Sequence, residues 1–395
     1  MFEIESLNGG IGEIDGFFCQ GVNCGLREGS QEDLGFIRSK EISLISAVFT
    51  SNNFKAAPIQ HALRYSKTFD GNFILVNAKN ANAMTGKEGI RDIEEILSSL
   101  PEDLNIKNPI MSSTGVIGYR LPKEKIILGL SKFNWDAKDS KSFSMAILTT
   151  DKFPKMLRFR VKLETGGSFE IAGVAKGAGM INPSMATMLC FIATDAKVPK
   201  EEINEILQNA ANKSFNKISV DGDTSTNDSL FLISSGTSGI WDKEAFVEAL
   251  ERMTFELAMM ILKDGEGANK VVAFEVVGAK DNSEAKIVAK KLSNSLLVKT
   301  ALFGEDPNWG RIASTIGASG VECDEDKLSI YYDDLLIYDK EHKELDKKRE
   351  EEAYKILKKE SFKIHCNLGI GDGKYTAYGC DLSYEYVKIN AEYRT

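Results

Sequence analysis

The chain has 395 residues, 43% of them hydrophobic, and a formal net charge of −9 from 49 Lys and Arg against 58 Asp and Glu. That apolar content is ample for a buried core, and the length fits two or three domains or one large double-layer fold. The acidic balance argues against a general nucleic-acid binder, which shows a basic patch or stripe, but leaves room for a local basic site facing an anionic small molecule.

In chain order, residues 45–50 and 72–77 read as strands, and 90–100 carries the apolar spacing of a helix. Residues 143–150, FSMAILTT, read as a further strand. Residues 157–163 alternate apolar and basic positions, and the turn ETGG at 164–167 folds them onto 168–173 as a hairpin. A second apolar, strand-like run follows Thr187. Residues 199–215 predict an amphipathic helix with Ile203, Ile206, Leu207 and Ala210 on one face and Pro199 at its start. A longer helix over 245–262 keeps Phe246, Leu250, Met253, Leu257 and Ile261 in step. From 271 onward strands surround shorter helices, and the charged run 341–360 reads as a solvated surface helix. There is no repeat and no regular βαβ rhythm, so the expectation is an α/β chain of layered sheets and helices.

No run of about 18 apolar residues occurs, and the N-terminus lacks a basic start followed by an apolar stretch. Neither a membrane span nor a secretory leader is expected. The six cysteines form no CxxC pair and read as reduced thiols of a cytoplasmic protein. His61, His342 and His365 are scattered, which gives little support to a histidine metal site or a Ser-His-Asp triad. The polar block 221–228 places Asp221, Asp223 and Asp228 close together, but its glycine is misplaced for a calcium loop. It reads as a structural turn near the active site, and no metal is expected.

The chemistry centres on the run KGAGMINPSMATML at 176–189. A threonine hydroxyl can attack the preceding carbonyl when the backbone is held strained, and Gly177, Gly179 and Ala186 permit the close approach. Hydrolysis of the resulting ester would free the α-amine of Thr187, with an intrinsic pKa of about 7.7–8.0. That amine can serve as general base for its own hydroxyl, with no histidine needed. Taken alone, the pattern reads better as a glycine-rich turn before a buried strand. Lys176 precedes the glycines, so the phosphate-loop pattern is absent.

This run resembles the KGxGMIxPxMATML segment of the ornithine acetyltransferase family, also called glutamate N-acetyltransferase, of the cyclic arginine pathway. The resemblance extends to VFTSNNFKAAP at 48–58, NANAMTG at 80–86, STGVIG at 113–118 and SVDGDTSTND at 219–228. It continues through DGEG at 264–267, DPNWGR at 306–311 and NAEYRT at 390–395. The chain departs from the pattern at Met84 and Asn269, where Cys and Thr are expected, and fits it least over 19–39.

The resemblance implies an αββα layered sandwich of the N-terminal-nucleophile-like aminopeptidase/ornithine acetyltransferase type. A smaller C-terminal α/β lobe would start at about 280. Cleavage between Ala186 and Thr187 would leave an alpha chain, 1–186, and a beta chain, 187–395, sharing sheets and assembling as two of each. Thr187 would be both the autoprocessing residue and the acyl carrier. Thr114 and Gly115 would form the oxyanion hole. Thr150, Lys176, Thr187, Glu266, Asn390 and Thr395 would line the substrate pocket, Lys176 meeting a carboxylate and Glu266 the cation of ornithine. Residues 384–389 would tether Thr395 as a docked strand.

The implied substrates are N2-acetylornithine and glutamate, exchanged by ping-pong acetyl transfer without a cofactor. Acetyl-CoA is a further donor in some members. The alternatives are an N-terminal-nucleophile amidase or aminopeptidase, in which water accepts the acyl group, and a non-catalytic small-molecule binder.

Overall fold

The computed structural model describes residues 1–182 and 188–392; Ala186, Thr187 and Thr395 lie outside the described residues. The chain forms two compact units, Met1–Asn216 with Asp223–Ile261, and Lys217–Gly222 with Leu262–Thr395.

Unit 1 holds strands β1 (Phe2–Leu7), β2 (Phe17–Val22), β3 (Leu34–Phe49), β4 (Thr68–Asn77), β5 (Ile110–Ser113), β6 (Lys155–Leu163), β7 (Ser168–Lys176), β8 (Leu189–Thr194) and β9 (Ser229–Ser234). Its helices are α1 (Ala57–Ala62), α2 (Gly86–Ser98), α3 (Lys123–Leu130), α4 (Ser140–Ala146), α5 (Ile203–Lys213) and most of α6 (Lys243–Lys263). Among the described residues the strands form one sheet in the order β1-β6-β7-β8-β9-β3-β4-β5, with β2 added on β3.

The long β3 carries this sheet from one layer into the next. Its first half, Leu34–Ser39, pairs with β2, and its second half, Leu44–Phe49, pairs with β9. Its register with β4 shifts between Arg38 and Ser43, the kind of irregularity that bends a strand. The two layers then enclose one apolar cluster. Ile37, Ile74 and Ile110 come from β3–β5, Val174, Phe191 and Phe231 from β7–β9, and Phe143 and Ile147 from the α4 region.

Strand alternation sends the next residues outward. On the outer side Phe36, Phe73, Leu75 and Met111 pack under Ile93 and Ile96 of α2 and Ile126 and Leu130 of α3. On the other outer side a Cβ on Gly173 of β7 would come within 2.9 Å of Met253 and Leu257 of α6. The layers are therefore helix, sheet, sheet, helix.

Unit 2 adds β10 (Val271–Ala279), α7 (Asn282–Asn294), α8 (Leu296–Phe303), α9 (Trp309–Gly317), β11 (Ser329–Tyr332), β12 (Leu335–Tyr338), α10 (Lys347–Leu357), β13 (Ser361–Asn367), β14 (Gly373–Cys380) and α11 (Tyr384–Ala391). Its sheet runs β12-β11-β13-β10-β14. Leu292 of α7, Ile316 of α9 and Leu357 of α10 share a core with Phe274 and Ile364 of the sheet. The segment 217–222 joins this unit through Ser219, whose N–H donates to Tyr378 O at 2.8 Å. Among the described residues no helix is long and apolar enough to cross a membrane. All six cysteines are free thiols, and only Cys323 is exposed.

Most expected elements are present: the hairpin is β6–β7, and the helices expected over 199–215 and 245–262 are α5 and α6. Two expectations are corrected. Residues 143–150 begin as helix, not strand, because Asp139 caps the Ser142 N–H and Phe143, Ala146 and Ile147 recur at helical spacing on the buried side. Residues 384–389 lie in α11 rather than in a docked strand. Ser383 starts that helix in extended geometry, its hydroxyl donating to Gly267 O at 2.6 Å.

Candidate active site

Thr114 follows the last residue of β5. Parallel pairing of β4 with β5 sets Asn77 beside Ser113, and Asn77 O then accepts the Thr114 N–H at 3.0 Å. Gly115 has φ +135°, and a Cβ there would lie 2.1 Å from the Lys79 carbonyl carbon, so this crossing admits only glycine. Val116 N–H donates to Lys79 O, whereas the Gly115 N–H meets no acceptor among the described residues. A donor N–H and a hydroxyl thus stand next to each other on adjacent residues.

Lys176 ends β7, and its ammonium lies among oxygens of unit 1. It donates to Thr149 Oγ1 at 2.7 Å and to Thr114 Oγ1 at 3.2 Å, and stands 3.8 Å from Asp151 Oδ2. Asp151 and Lys155 are fully buried and pair at 2.8 Å. Asp151 also accepts the Gly177 N–H at 2.7 Å and the Thr149 N–H at 3.0 Å. Burial pushes the Asp151 carboxyl upward, but the Lys176 and Lys155 charges and these hydrogen bonds hold it well below the usual carboxylate range.

The block 221–228, read from sequence as a structural turn, supplies a brace. Asn227 is buried, and its amide donates to Ala81 O at 2.6 Å and Ser113 O at 2.9 Å, immediately before Thr114. Thr224 donates to Asn182 O at 3.0 Å, at the end of the described part of the 176–189 run. No group of three or more His, Cys, Asp or Glu side chains suited to a metal occurs among the described residues.

The expected site residues therefore fall in two places. Thr114, Gly115 and Lys176 come together in unit 1. Thr150 lies half-buried beside them in sequence, but it is the Thr149 hydroxyl that meets Lys176. In unit 2, Glu266 is buried in the loop after α6, and its Oε2 accepts from Asn390 Nδ2 at 2.7 Å. Ala186, Thr187 and Thr395 lie outside the described residues. Sequence reasoning missed Thr149, Asp151, Lys155 and Asn227. Asp151 and Lys155 had one available signal, an i, i+4 charge pair beside an apolar strand.

Known proteins are similar to this chain over nearly its whole length. An arginine biosynthesis bifunctional protein ArgJ from Wolinella succinogenes is 54% identical over 100% of both chains. One of the same name from Caldanaerobacter subterraneus subsp. tengcongensis is 40% identical over 99% of this chain and 100% of its own. Among solved structures, an ArgJ from Bacillus halodurans is 40% identical with a TM-score of 0.47, covering 50% of this chain and 95% of that one. An ornithine acetyltransferase complexed with ornithine from Mycobacterium tuberculosis is 27% identical with a TM-score of 0.42, covering 47% of this chain and 100% of that one. The ArgJ family model matches residues 18–395, from the second strand of the sandwich through both units, and the chain belongs to the ArgJ family.

Proposed function

We propose that this chain moves acetyl from N2-acetylornithine to glutamate through an ester on Thr187, an acyltransferase step of arginine biosynthesis. The observation that carries this reading is the Thr114 hydroxyl held by the Lys176 ammonium next to a Gly115 N–H that meets no acceptor among the described residues. Because Thr114 Oγ1 accepts from Lys176, its own proton is turned toward another acceptor. One carboxylate, Asp151, sits between the Lys155 and Lys176 ammonium groups, so the local charge favours an oxyanion beside Thr114. The ArgJ relatives, named as arginine biosynthesis proteins, support the same assignment.

Processing comes first. Thr187 Oγ bonds to the Ala186 carbonyl carbon, the peptide nitrogen leaves as the Thr187 amine, and water hydrolyses the ester to give chains 1–186 and 187–395. In the first half-reaction Thr187 Oγ attacks the acetyl carbon of N2-acetylornithine. The hydroxyl proton passes to the Thr187 amine and on to the departing nitrogen, and ornithine leaves. Thr114 and Gly115 donate to the oxyanion. In the second half-reaction the glutamate amine attacks the acetyl ester, and Thr187 Oγ leaves with a proton returned through its amine.

Glu266, oriented by Asn390, meets the side-chain cation of ornithine in this reading; Thr150 and Thr395 add hydrogen bonds. No cofactor is required, since one acetylated amine replaces another. Acetyl-CoA would load the same threonine as a second donor, which fits the word bifunctional in the relatives' names. The expected assembly is two alpha and two beta chains in the cytoplasm.

Intact mass under denaturing conditions tests the reading. Wild type should give two fragments split at Ala186/Thr187, and Thr187→Ala one full-length chain. Acetylornithine–glutamate exchange should then accompany the split. Acetate release from acetylornithine without glutamate would favour the amidase instead, and an uncut folded wild-type chain would remove the α-amine from the mechanism.

A further inference from the structure

A substrate amino acid needs a cationic partner for its carboxylate. The Lys176 ammonium is already placed against Thr149, Thr114 and Asp151. Another cation in unit 1 has the complementary property. Arg27 carries Nε and Nη2 atoms that are buried and have no hydrogen-bond partner among the described residues. These two nitrogens form one edge of the guanidinium, the edge whose parallel N–H groups match the two oxygens of a carboxylate. Orphaned buried donors of a charged group are costly unless something fills them.

The loop that presents Arg27 is built rigidly. Asp33 is fully buried, and its carboxylate accepts the N–H groups of Cys24 at 2.7 Å, Leu26 at 2.7 Å and Arg27 at 2.8 Å. Each of these three bonds comes from the backbone, so Asp33 shapes the loop and none of them engages the guanidinium edge. Lys125 and Lys132 pin the same loop by donating to Gly25 O at 2.9 Å and Asn23 O at 2.8 Å.

The loop's base borders the Thr114 ledge. Ala78 N–H donates to Asp33 O at 2.9 Å, Leu34 pairs with Asn77, and Asn77 O accepts the Thr114 N–H. Burial holds the Arg27 guanidinium below its ordinary pKa, while Asp33, Asp151 and Glu32 act on it in the opposite sense, so Asp151 of the Lys176 cluster lies within its electrostatic reach.

We infer that Arg27 binds the α-carboxylate of the amino-acid substrates, through the Nε and Nη2 edge. The inference rests on the acetyl-transfer reading above and adds a specificity residue to it. Both the acyl donor and the acyl acceptor carry an α-carboxylate, so one guanidinium serves the two half-reactions in turn. Arg27 lies within 19–39, the stretch that least fits the family pattern.

The test compares wild type, Arg27→Met and Arg27→Lys with N2-acetylornithine, with its α-carboxamide analogue, and with glutamate. Arg27→Met should lower kcat/KM for the carboxylate substrates by about 10–100-fold, the span of one charge-assisted bidentate contact. Its discrimination between carboxylate and carboxamide should collapse to within a few-fold. Arg27→Lys should recover part of it, keeping the charge without the fork. A structural role alone would lower both substrates equally and leave the discrimination intact, and that outcome overturns the inference. Direct titration of glutamate by calorimetry separates the two claims. If wild type catalyses no exchange, the parent reading fails, and equal glutamate affinity in wild type and Arg27→Lys would overturn the Arg27 assignment as well. Should Arg27→Met not fold, Arg27→Lys and Arg27→Gln carry the same comparison.

Discussion

Two clusters in this protein have the same kinds of members and different surroundings. In unit 1, Asp151 lies between Lys155 and Lys176, with side-chain exposures of 0%, 0% and 10%. In unit 2, Glu275 lies between His365 at 2.7 Å and Lys363 at 3.2 Å, with exposures of 32%, 25% and 42%. One carboxylate and two basic side chains appear in each. Water screens the second cluster, which stands on the strand face opposite the unit's core, and its contribution should be small. The first lies between layers of a sandwich, where unpaired charge is expensive and a fixed ammonium acts strongly on a neighbouring hydroxyl. Depth, more than residue type, makes one of these clusters suited to chemistry.

The largest effect expected from breaking this comparison is Asp151→Asn. It leaves the fully buried Lys155 without its carboxylate, and loss of one partner of a buried pair costs about 3–5 kcal/mol. Urea unfolding should show that loss, and a midpoint unchanged from wild type would refute it.

Next is the pair Lys176→Met and Thr114→Val, measured singly and together. Each should lower kcat by ~10²–10³ as loss of an oxyanion donor does, with KM changed much less. If Lys176 acts through Thr114, the double variant should be little slower than Thr114→Val alone. Fully multiplicative losses would show that Lys176 works independently, as a carboxylate anchor would.

Acid sharpens the contrast further. The folded-state pKa of Asp151 is depressed, so its stabilising contribution is present above its unfolded value of about 4 and is lost only as pH falls through the lower folded value. The stability gap between wild type and Asp151→Asn should therefore persist down to about pH 4 and close below it. A gap that closes between pH 7 and 5 would contradict the assigned ion pairs. The smallest effect belongs to Glu275→Gln, expected to cost under about 1 kcal/mol and to shrink further in high salt. A loss as large as that of Asp151→Asn would erase the distinction between the clusters.

Much of the sandwich was readable from periodicity. Alternation in 157–163 marks β6, and helical spacing over 245–262 marks α6, because each buries one face whatever its partner is. FSMAILTT misled because short apolar runs suit a strand or a buried helix equally, and Phe143 and Ile147 of the α4 region pack into the cluster between the two layers of the sheet. The segment 384–389 misled for a related reason. Its aromatic and β-branched residues favour strands, but none is buried in α11, so no sheet captured them.

The sequence by itself determined the threonine at 187 and the small residues before it, and its resemblance to the ornithine acetyltransferase family singled out Thr114, Gly115, Lys176, Glu266 and Asn390. It also determined the glycine at 115, where backbone crosses backbone. Only the tertiary structure decided which oxygens meet Lys176, since Thr114, Thr149 and Asp151 come from separate segments. It likewise decided that Asn227 braces the Thr114 ledge across 113 and 81, and that the Arg27 edge is buried with no hydrogen-bond partner among the described residues. The physical reason is range. Periodicity and turn chemistry act between near neighbours in the chain, while desolvation and hydrogen-bond satisfaction depend on which distant segments the packed sheets bring within a few ångströms.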